Sequence, residues 1–240
     1  MALKRIARRS VPDEIYDQLV DDVLTGELTP GSALPAERQL AEALGVSRPT
    51  VREAVQRLAR AGLVEIRQGG STTVRDPRRS GGLELLPRLL LRGGEIDHSV
   101  VRSILETRAS LGREVAVLAA RRGGPALTGE LTAAVDELAS RHDPLARQRS
   151  ALEFWDHLVD AAESIVYRLL FNHLRGVYEP AMAALTGVMD TEVGRPELYR
   201  ALADAVTAGE ADTAGSRAGA LLSLATTEFD SLLRRLESTS

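Results

Sequence analysis

The 240-residue chain predicts a mainly α protein in two parts. The first is an N-terminal winged helix-turn-helix of three helices plus a β-hairpin, and the second a C-terminal all-α antiparallel helix bundle. Three observations carry this. Short helical periods broken by glycine run from Val11 to Gly62, and two β-prone runs flank a glycine pair between residues 63 and 74. Beyond Gly82 only alanine- and leucine-rich helical patterns recur. The length also exceeds what one small domain needs.

Each element has a local reason. Ser10-Val-Pro-Asp13 reads as a capping box, with Pro12 harmless in the first turn. Ile15, Leu19, Val20 and Val23 then give one apolar stripe, ending near Gly26. The turn-rich LTPGSALPAER leads into a second helix, roughly Ala36 to Leu44, stopped by Gly45. Ser47 caps a third helix whose inward face is Val51, Ala54, Val55 and Leu58, ending before Gly62. LVEIR alternates like a strand, QGGS supplies a turn and STTV a second β-prone run.

DPRRSGG, residues 76–82, is polar, basic and broken by Pro and Gly, so it is the expected linker. That sets the winged helix-turn-helix domain at 1–75 and the helical domain at 83–240. Breaks at Gly93-Gly94, Gly123-Gly124-Pro125, Asp143-Pro144, Pro180, Gly194 and Gly209 divide the second part into about six or seven helices. No strand is expected there.

Composition narrows the function. The absence of cysteine excludes disulfides, thiolate metal sites and a cysteine nucleophile. Apolar runs such as LELLPRLLL fall far short of the roughly 20 residues of a membrane span. MALKRIARRS is basic but lacks the apolar core of a signal peptide. Together these predict a cytoplasmic protein with no membrane partner. The net charge of −4 hides an asymmetry: residues 1–79 hold 13 basic and 11 acidic side chains, a balance of +2, against −6 for the remainder. Local positive potential, not the whole-chain sum, governs phosphate binding. Aromatics at 3% argue against a stacking platform for single strands.

Arg48 and Arg52 lie one helical turn apart, on the face away from Val51, Val55 and Leu58. A guanidinium fork takes the O6 and N7 of guanine bidentately in the major groove. Thr50, between them, is in reach of a phosphate or a thymine methyl. A solvated helix face would carry the same arginines. The preceding short helix, the glycine turn and the glycine-tipped wing favour DNA reading.

LPAERQLAEALGVSRPTVREAVQRLARAGLVEIRQGG resembles the N-terminal domain of the GntR family of bacterial transcription factors, over roughly residues 11–75. The resemblance implies operator contacts from Arg38, Ser47, Arg48, Thr50 and Arg52, with Gln68, Gly69 and Gly70 as a wing tip in the minor groove. Pro49 stands where some relatives have threonine, which puts one hydroxyl contact in doubt. The family reading further implies a homodimer on double-stranded DNA with a pseudo-palindromic operator, acting as a repressor.

ILETRASLGREVAVLAARRG resembles the opening of the effector domain in the FadR-like branch of that family. The positions of that branch's metal ligands fall on Ala151, Trp155, Tyr199 and Leu221, so neither a metal nor another cofactor is expected. His157, beside Asp156 and Asp160, is offset by two residues, about 200° around a helix, and is read as a surface histidine. Neither His142 nor His173 stands at a metal-ligand spacing from another His or carboxylate of the expected pattern. ESIVYRLLFNHLRGVYEP resembles the corresponding helix of the fatty-acid-responsive regulator that gives the branch its name, matching at Asn172, Gly176 and Tyr178, with Arg108 in the first bundle helix. That implies a small-molecule effector, a long-chain acyl-CoA. Its chain would lie against Trp155, Tyr167, Leu170 and Tyr178, near Tyr199, with a carbonyl or phosphate on Arg108.

Two alternatives stay open at this point. One is the same regulator answering to an organic or sugar acid held by Arg108. The other is a helical acyl-CoA hydrolase with an accessory DNA domain, which would need a nucleophile or base. There is no Cys or GxSxG elbow, and the four histidines follow no catalytic spacing.

Overall fold

A computed structural model describes residues 11–67, 71–92 and 95–238. The expected cap at Ser10, the wing tip at Gln68, Gly69 and Gly70, and the break at Gly93-Gly94 lie outside the described residues. The chain divides into two compact units, Met1–Ile96 and Asp97–Ser240.

In the first unit, α1 (Val11–Thr25), α2 (Glu37–Leu44) and α3 (Arg48–Arg60) form as their apolar periods require. Ile15, Leu19, Val20 and Val23 of α1 meet Val51, Ala54, Val55 and Leu58 of α3 in one core, closed by Leu34, Leu63 and Val74. Gly45 leaves α2 with φ +66°, which a side chain rarely tolerates. Ser47 then caps α3 by accepting from the Thr50 amide, and Pro49 occupies the first turn without loss of a helical hydrogen bond.

The wing is β1 (Val64–Glu65) paired antiparallel with β2 (Thr73–Val74). It gains a third partner from the turn-rich segment before α2, where the sequence suggests a plain link. The Leu34 amide donates to the Thr72 carbonyl at 2.8 Å and the Val74 amide to the Ser32 carbonyl at 2.9 Å, with a bridge between Ala33 and Thr73. That segment therefore covers one edge of the hairpin.

Residues 76–82, the expected linker, are folded. Asp76 caps a short helix, α4 (Pro77–Ser80), by accepting from the Arg78 amide at 2.9 Å. The Ser80 hydroxyl donates to the Gly62 carbonyl at 2.7 Å. Gly62 has φ +72°, and a Cβ there would lie 2.2 Å from the Ser80 carbonyl oxygen, so only glycine lets the chain return this closely. Leu85 then joins the winged core, ahead of α5 (Leu86–Leu90). The first unit thus continues past 75 and past 82 to Ile96. It also holds strands where none is expected, β3 (Leu91–Arg92) against β4 (Glu95–Ile96).

The second unit begins where Asp97 caps α6 (His98–Arg122), accepting from the Ser99 amide at 2.9 Å. Its described residues form seven α-helices. After α6 come α7 (Thr128–Ser140), α8 (Pro144–Ala161), α9 (Ile165–Tyr178), α10 (Thr186–Val193), α11 (Pro196–Thr207) and α12 (Ala211–Glu237), joined by short turns. The 25-residue α6 and the 27-residue α12 make the most extensive helix pair. Small residues let them close. A Cβ on Gly215 would lie 2.7 Å from Val117, and one on Gly112 2.2 Å from Leu222. Phe154, Trp155, Leu158, Tyr199, Leu202, Leu221 and Leu222 fill the space between α6, α8, α11 and α12. The Phe154 and Tyr199 rings meet edge to face at 5.1 Å. No helix among the described residues is long and apolar enough to cross a membrane.

Candidate functional site

In the first unit the arginines expected to read DNA lie on an exposed helix face. Burial of Val51, Ala54, Val55 and Leu58 leaves the opposite face of α3 to solvent, where the Arg48 and Arg52 side chains are 59% and 58% exposed. Both converge on one carboxylate. Glu37, the first residue of α2, accepts from Arg52 Nε at 3.1 Å and from its Nη2 at 3.1 Å, and lies 4.0 Å from Arg48 Nη2. The Arg52 pKa is raised, first by its hydrogen bond to Glu37 and then by that residue's charge. Nothing local in the sequence singles out Glu37: fifteen residues separate it from Arg52, and only the helix-turn-helix folds them together.

The other predicted contacts flank this pair. Ser47 Oγ and Thr50 Oγ1 lie 2.7 Å apart at the amino end of α3, beside the backbone amides a phosphate would approach. Arg38 is exposed on α2, one turn from its ion-pair partner Glu42 at 3.2 Å. Behind this surface Tyr16 of α1 lies under the Arg57 guanidinium at 4.4 Å and near that of Arg88 at 5.8 Å. Those two arginines also pair with Asp13 and Asp17, which fastens α1, α3 and α5 together.

In the second unit a polar cluster sits inside the apolar bundle. Arg108 of α6 holds Glu192 of α10 with both terminal nitrogens, Nη1 to Oε1 at 3.2 Å and Nη2 to Oε2 at 2.5 Å. The Tyr199 hydroxyl donates to the same carboxylate at 3.0 Å. Glu192 is only 1% exposed, while the Arg108 side chain is 26% exposed. Burial opposes the Arg108 charge, but Glu192 outweighs it by attraction and hydrogen bonding and raises the guanidinium pKa. Burial, reinforced by Glu192, pushes the Tyr199 phenol well up. Burial likewise raises Tyr178, so both phenols remain donors. Tyr178 donates to the buried Gln148, whose amide in turn reaches the Met182 carbonyl at 3.4 Å.

Three buried polar atoms have no hydrogen-bond partner among the described residues: Arg108 Nε, Trp155 Nε1 and Thr226 Oγ1. They belong to α6, α8 and α12, which meet where Gly112 faces Leu222 and the Trp155 ring edge. Of the expected effector residues, Arg108 and Tyr199 therefore share one carboxylate, and Trp155 packs against α6 one turn along from Arg108. Tyr167 is half-buried against the bundle core, and Leu170 is half-buried. Asn172 and Gly176 are exposed. They continue the solvent stripe Ile165 and Leu169, because steps of three and four residues return to one helix face, opposite that of Tyr167, Phe171 and Tyr178.

At the four positions aligned with metal ligands the structure places Ala151, Trp155, Tyr199 and Leu221 in the packed core. His157 faces Glu130 at 3.4 Å, while Asp156 and Asp160 are both taken by Arg168. Among the described residues no group of three or more acidic or histidine side chains is placed to hold a metal ion.

A family model described as bacterial regulatory proteins, gntR family, matches residues 12–74, and an FCD domain model matches residues 103–223. The HTH-type transcriptional regulator Mce2R of Mycobacterium tuberculosis is 55% identical over 97% of both chains. The chain belongs to the GntR family. The FCD match follows the winged unit, as in the FadR-like arrangement. This GntR-family chain is also 31% identical to the fatty acid metabolism regulator protein of Cronobacter sakazakii, over 68% of this chain and 66% of that one. Two solved structures share the fold. Lar of Listeria monocytogenes has a TM-score of 0.55 at 17% identity, covering 95% of this chain and all of that one. A GntR family member from Pseudomonas syringae pv. tomato has a TM-score of 0.51 at 16% identity, covering 95% and 88%. Mce2R is named a transcriptional regulator and the Cronobacter protein a regulator, and this chain is a transcriptional regulator, not an enzyme.

Three functional candidates escape sequence reasoning: Glu37, Glu192 and Gln148. For the last two a signal exists. Glu192 shares the inward face of α10 with Val188, Met189 and Val193, and Gln148 shares that of α8 with Ala151 and Trp155. A charged or amide residue in phase with an apolar stripe is a buried polar group that must find partners.

Proposed function

We propose that the chain is a sequence-specific repressor whose operator affinity is set by a long-chain acyl-CoA bound in the helical unit. The observation that carries the DNA half is the convergence of Arg48 and Arg52 on an exposed face of α3, behind a capped amino end. Each fork suits a guanine edge, and Ser47 and Thr50 suit the adjacent phosphate. Two copies on a pseudo-palindromic operator would set two such helices in successive major grooves, one helical turn apart. The protein acts in the cytoplasm as a homodimer.

The ligand half rests on the bundle. Trp155, half-buried Tyr167 and Leu170, and Tyr178 supply apolar surface around α8 and α9, with polar groups limited to the cluster at Arg108. A few polar groups within an apolar lining are the common character of lipid-chain sites. The relative named for fatty acid metabolism supports the same class. Ligand can alter operator affinity only by binding two arrangements of the protein unequally.

The test is operator binding by fluorescence anisotropy on DNA from the chain's own upstream region, comparing the natural protein with Arg52→Ala. The substitution is expected to weaken operator binding and relax preference at one base pair, while an unrelated duplex loses only the few-fold affinity that one positive charge supplies. Equal affinity and equal selectivity in the variant would refute the assigned role.

A further inference from the structure

The Arg108–Glu192 pair decides what kind of head group the helical unit can accept. We propose that Glu192 is a specificity-determining residue, and that with Arg108, Trp155 and Thr226 it makes the site select an uncharged acyl carbonyl over a free carboxylate. This rests on the reading that the unit binds an acyl ligand.

A lone buried arginine in an apolar bundle would be an anion receptor, and a fatty or organic acid would be its natural occupant. Here that role is already filled from within. Glu192 takes both terminal nitrogens of Arg108, the end-on geometry a ligand carboxylate would use, and Tyr199 adds a third hydrogen bond to it. The pair is electrically neutral, so an incoming carboxylate would meet no net positive charge, and beside Glu192 it would be repelled by the carboxylate already held there. At a buried site such repulsion is strong.

What remains unsatisfied is a set of single hydrogen-bonding atoms, none with a second free donor beside it to form a fork. Arg108 Nε and Trp155 Nε1 are donors without acceptors, and Thr226 Oγ1 is a hydroxyl without a partner. Trp155 is 7% exposed, so its indole N–H has no recourse to water. An orphaned buried donor is destabilising until an acceptor arrives, and a carbonyl oxygen supplies one without charge. These atoms lie along one stretch of the antiparallel α6–α12 pair. Arg108 Nη2 lies 3.5 Å from the Leu222 carbonyl, with Thr226 one turn from Leu222 in one direction and Gly112, against the Trp155 ring edge, one turn from Arg108 in the other. The partial exposure of Arg108, against the near-complete burial of Glu192, sets the side from which a head group arrives. Leu222 and the Trp155 ring, which close on Gly112, must withdraw to admit it. Thioester, ester and amide carbonyls all meet this description, and a free acid does not.

Trp155 is the chain's sole tryptophan, so its fluorescence reports on this place alone. The probes are octanoate and octanamide at pH 7.5, matched in chain and differing in head-group charge, with dodecanoyl-CoA alongside. Affinities come from Trp155 fluorescence and calorimetry on the full chain, natural and Glu192→Gln. In the natural protein octanamide is expected to bind about tenfold or more tightly than octanoate. Glu192→Gln frees the Arg108 charge and is expected to reverse that order. Octanoate binding as tightly as octanamide in the natural protein would overturn the proposal, whatever the variant does. So would an unchanged ratio in a variant whose circular dichroism shows it folded. Binding of dodecanoyl-CoA without head-group preference would sink this inference and leave the acyl reading standing. Failure of all three probes would overturn the acyl reading, and this inference with it.

Discussion

Each unit carries an arginine–glutamate pair in its candidate site, and the two differ in burial. Arg52 and Glu37 meet at the surface of the winged unit, with more than half of the arginine in water. Arg108 and Glu192 meet inside the helical unit, with the carboxylate removed from solvent. A surface pair contributes on the order of 0–1 kcal/mol, so DNA can displace the carboxylate at little cost. A buried pair, once formed, cannot lose one member without leaving the other desolvated. The first is therefore suited to exchange and the second to holding a shape and a charge state. On the proposed reading, the arginines that meet DNA are parked on a weak partner, and the arginine that excludes an outside anion is committed to a strong one.

The sharpest way to break the comparison is Arg108→Ala, which leaves the Glu192 carboxylate buried with only the Tyr199 hydroxyl. Destabilisation of about 3–5 kcal/mol is expected in urea unfolding followed by circular dichroism. A loss below about 1 kcal/mol would mean that the pair is no more than a surface one. Next in size, Arg48→Ala is expected to weaken operator binding by about 1–3 kcal/mol, without altering the unfolding midpoint. Anisotropy and urea titration on the same protein separate the two effects.

Gly112→Ala sharpens the account of the buried region. The new Cβ would lie 2.2 Å from Leu222 and 3.3 Å from the Trp155 ring. Overpacking is expected to cost about 1–3 kcal/mol, partly offset by better helix propensity, and to shift Trp155 emission. Thermal melting read at tryptophan wavelengths follows both. The smallest expected effect is that of Glu37→Gln. Stability should move by less than about 1 kcal/mol, while affinity for an unrelated duplex rises a few-fold as a negative charge leaves the DNA face. The operator's advantage over that duplex should shrink, because Arg48 and Arg52 lose the group that aligns them.

The same contrast explains how much is legible in the sequence. The winged unit is made of short-range signals: Gly45 ends α2, Ser47 caps α3, and the Val51, Ala54, Val55, Leu58 period fixes which way Arg48 and Arg52 face. All of these act within one or two turns, so the residues alone disclose them. The folding of residues 76–82 is hidden because their composition is that of a loop, while their order comes from a distant contact, Ser80 to the Gly62 carbonyl. The strand-like role of residues 31–34 is hidden for the same reason, since its hydrogen bonds run to residues about forty positions away. In the helical unit, helix number and breaks follow from glycine and proline. The partner of Arg108 does not, because 84 residues separate it from Glu192 and no local spacing encodes a pairing of that range. Family resemblance groups Asn172 and Gly176 with the effector residues, whereas the phase of α9 sends them to solvent.

The most direct measurement is anisotropy of the full-length natural protein on DNA from its own upstream region, titrated with dodecanoyl-CoA and, separately, with free CoA. Release of the DNA by dodecanoyl-CoA and not by free CoA is the predicted result. Tight DNA binding indifferent to dodecanoyl-CoA would contradict ligand control by an acyl chain, and failure to bind any upstream fragment would contradict the DNA reading itself.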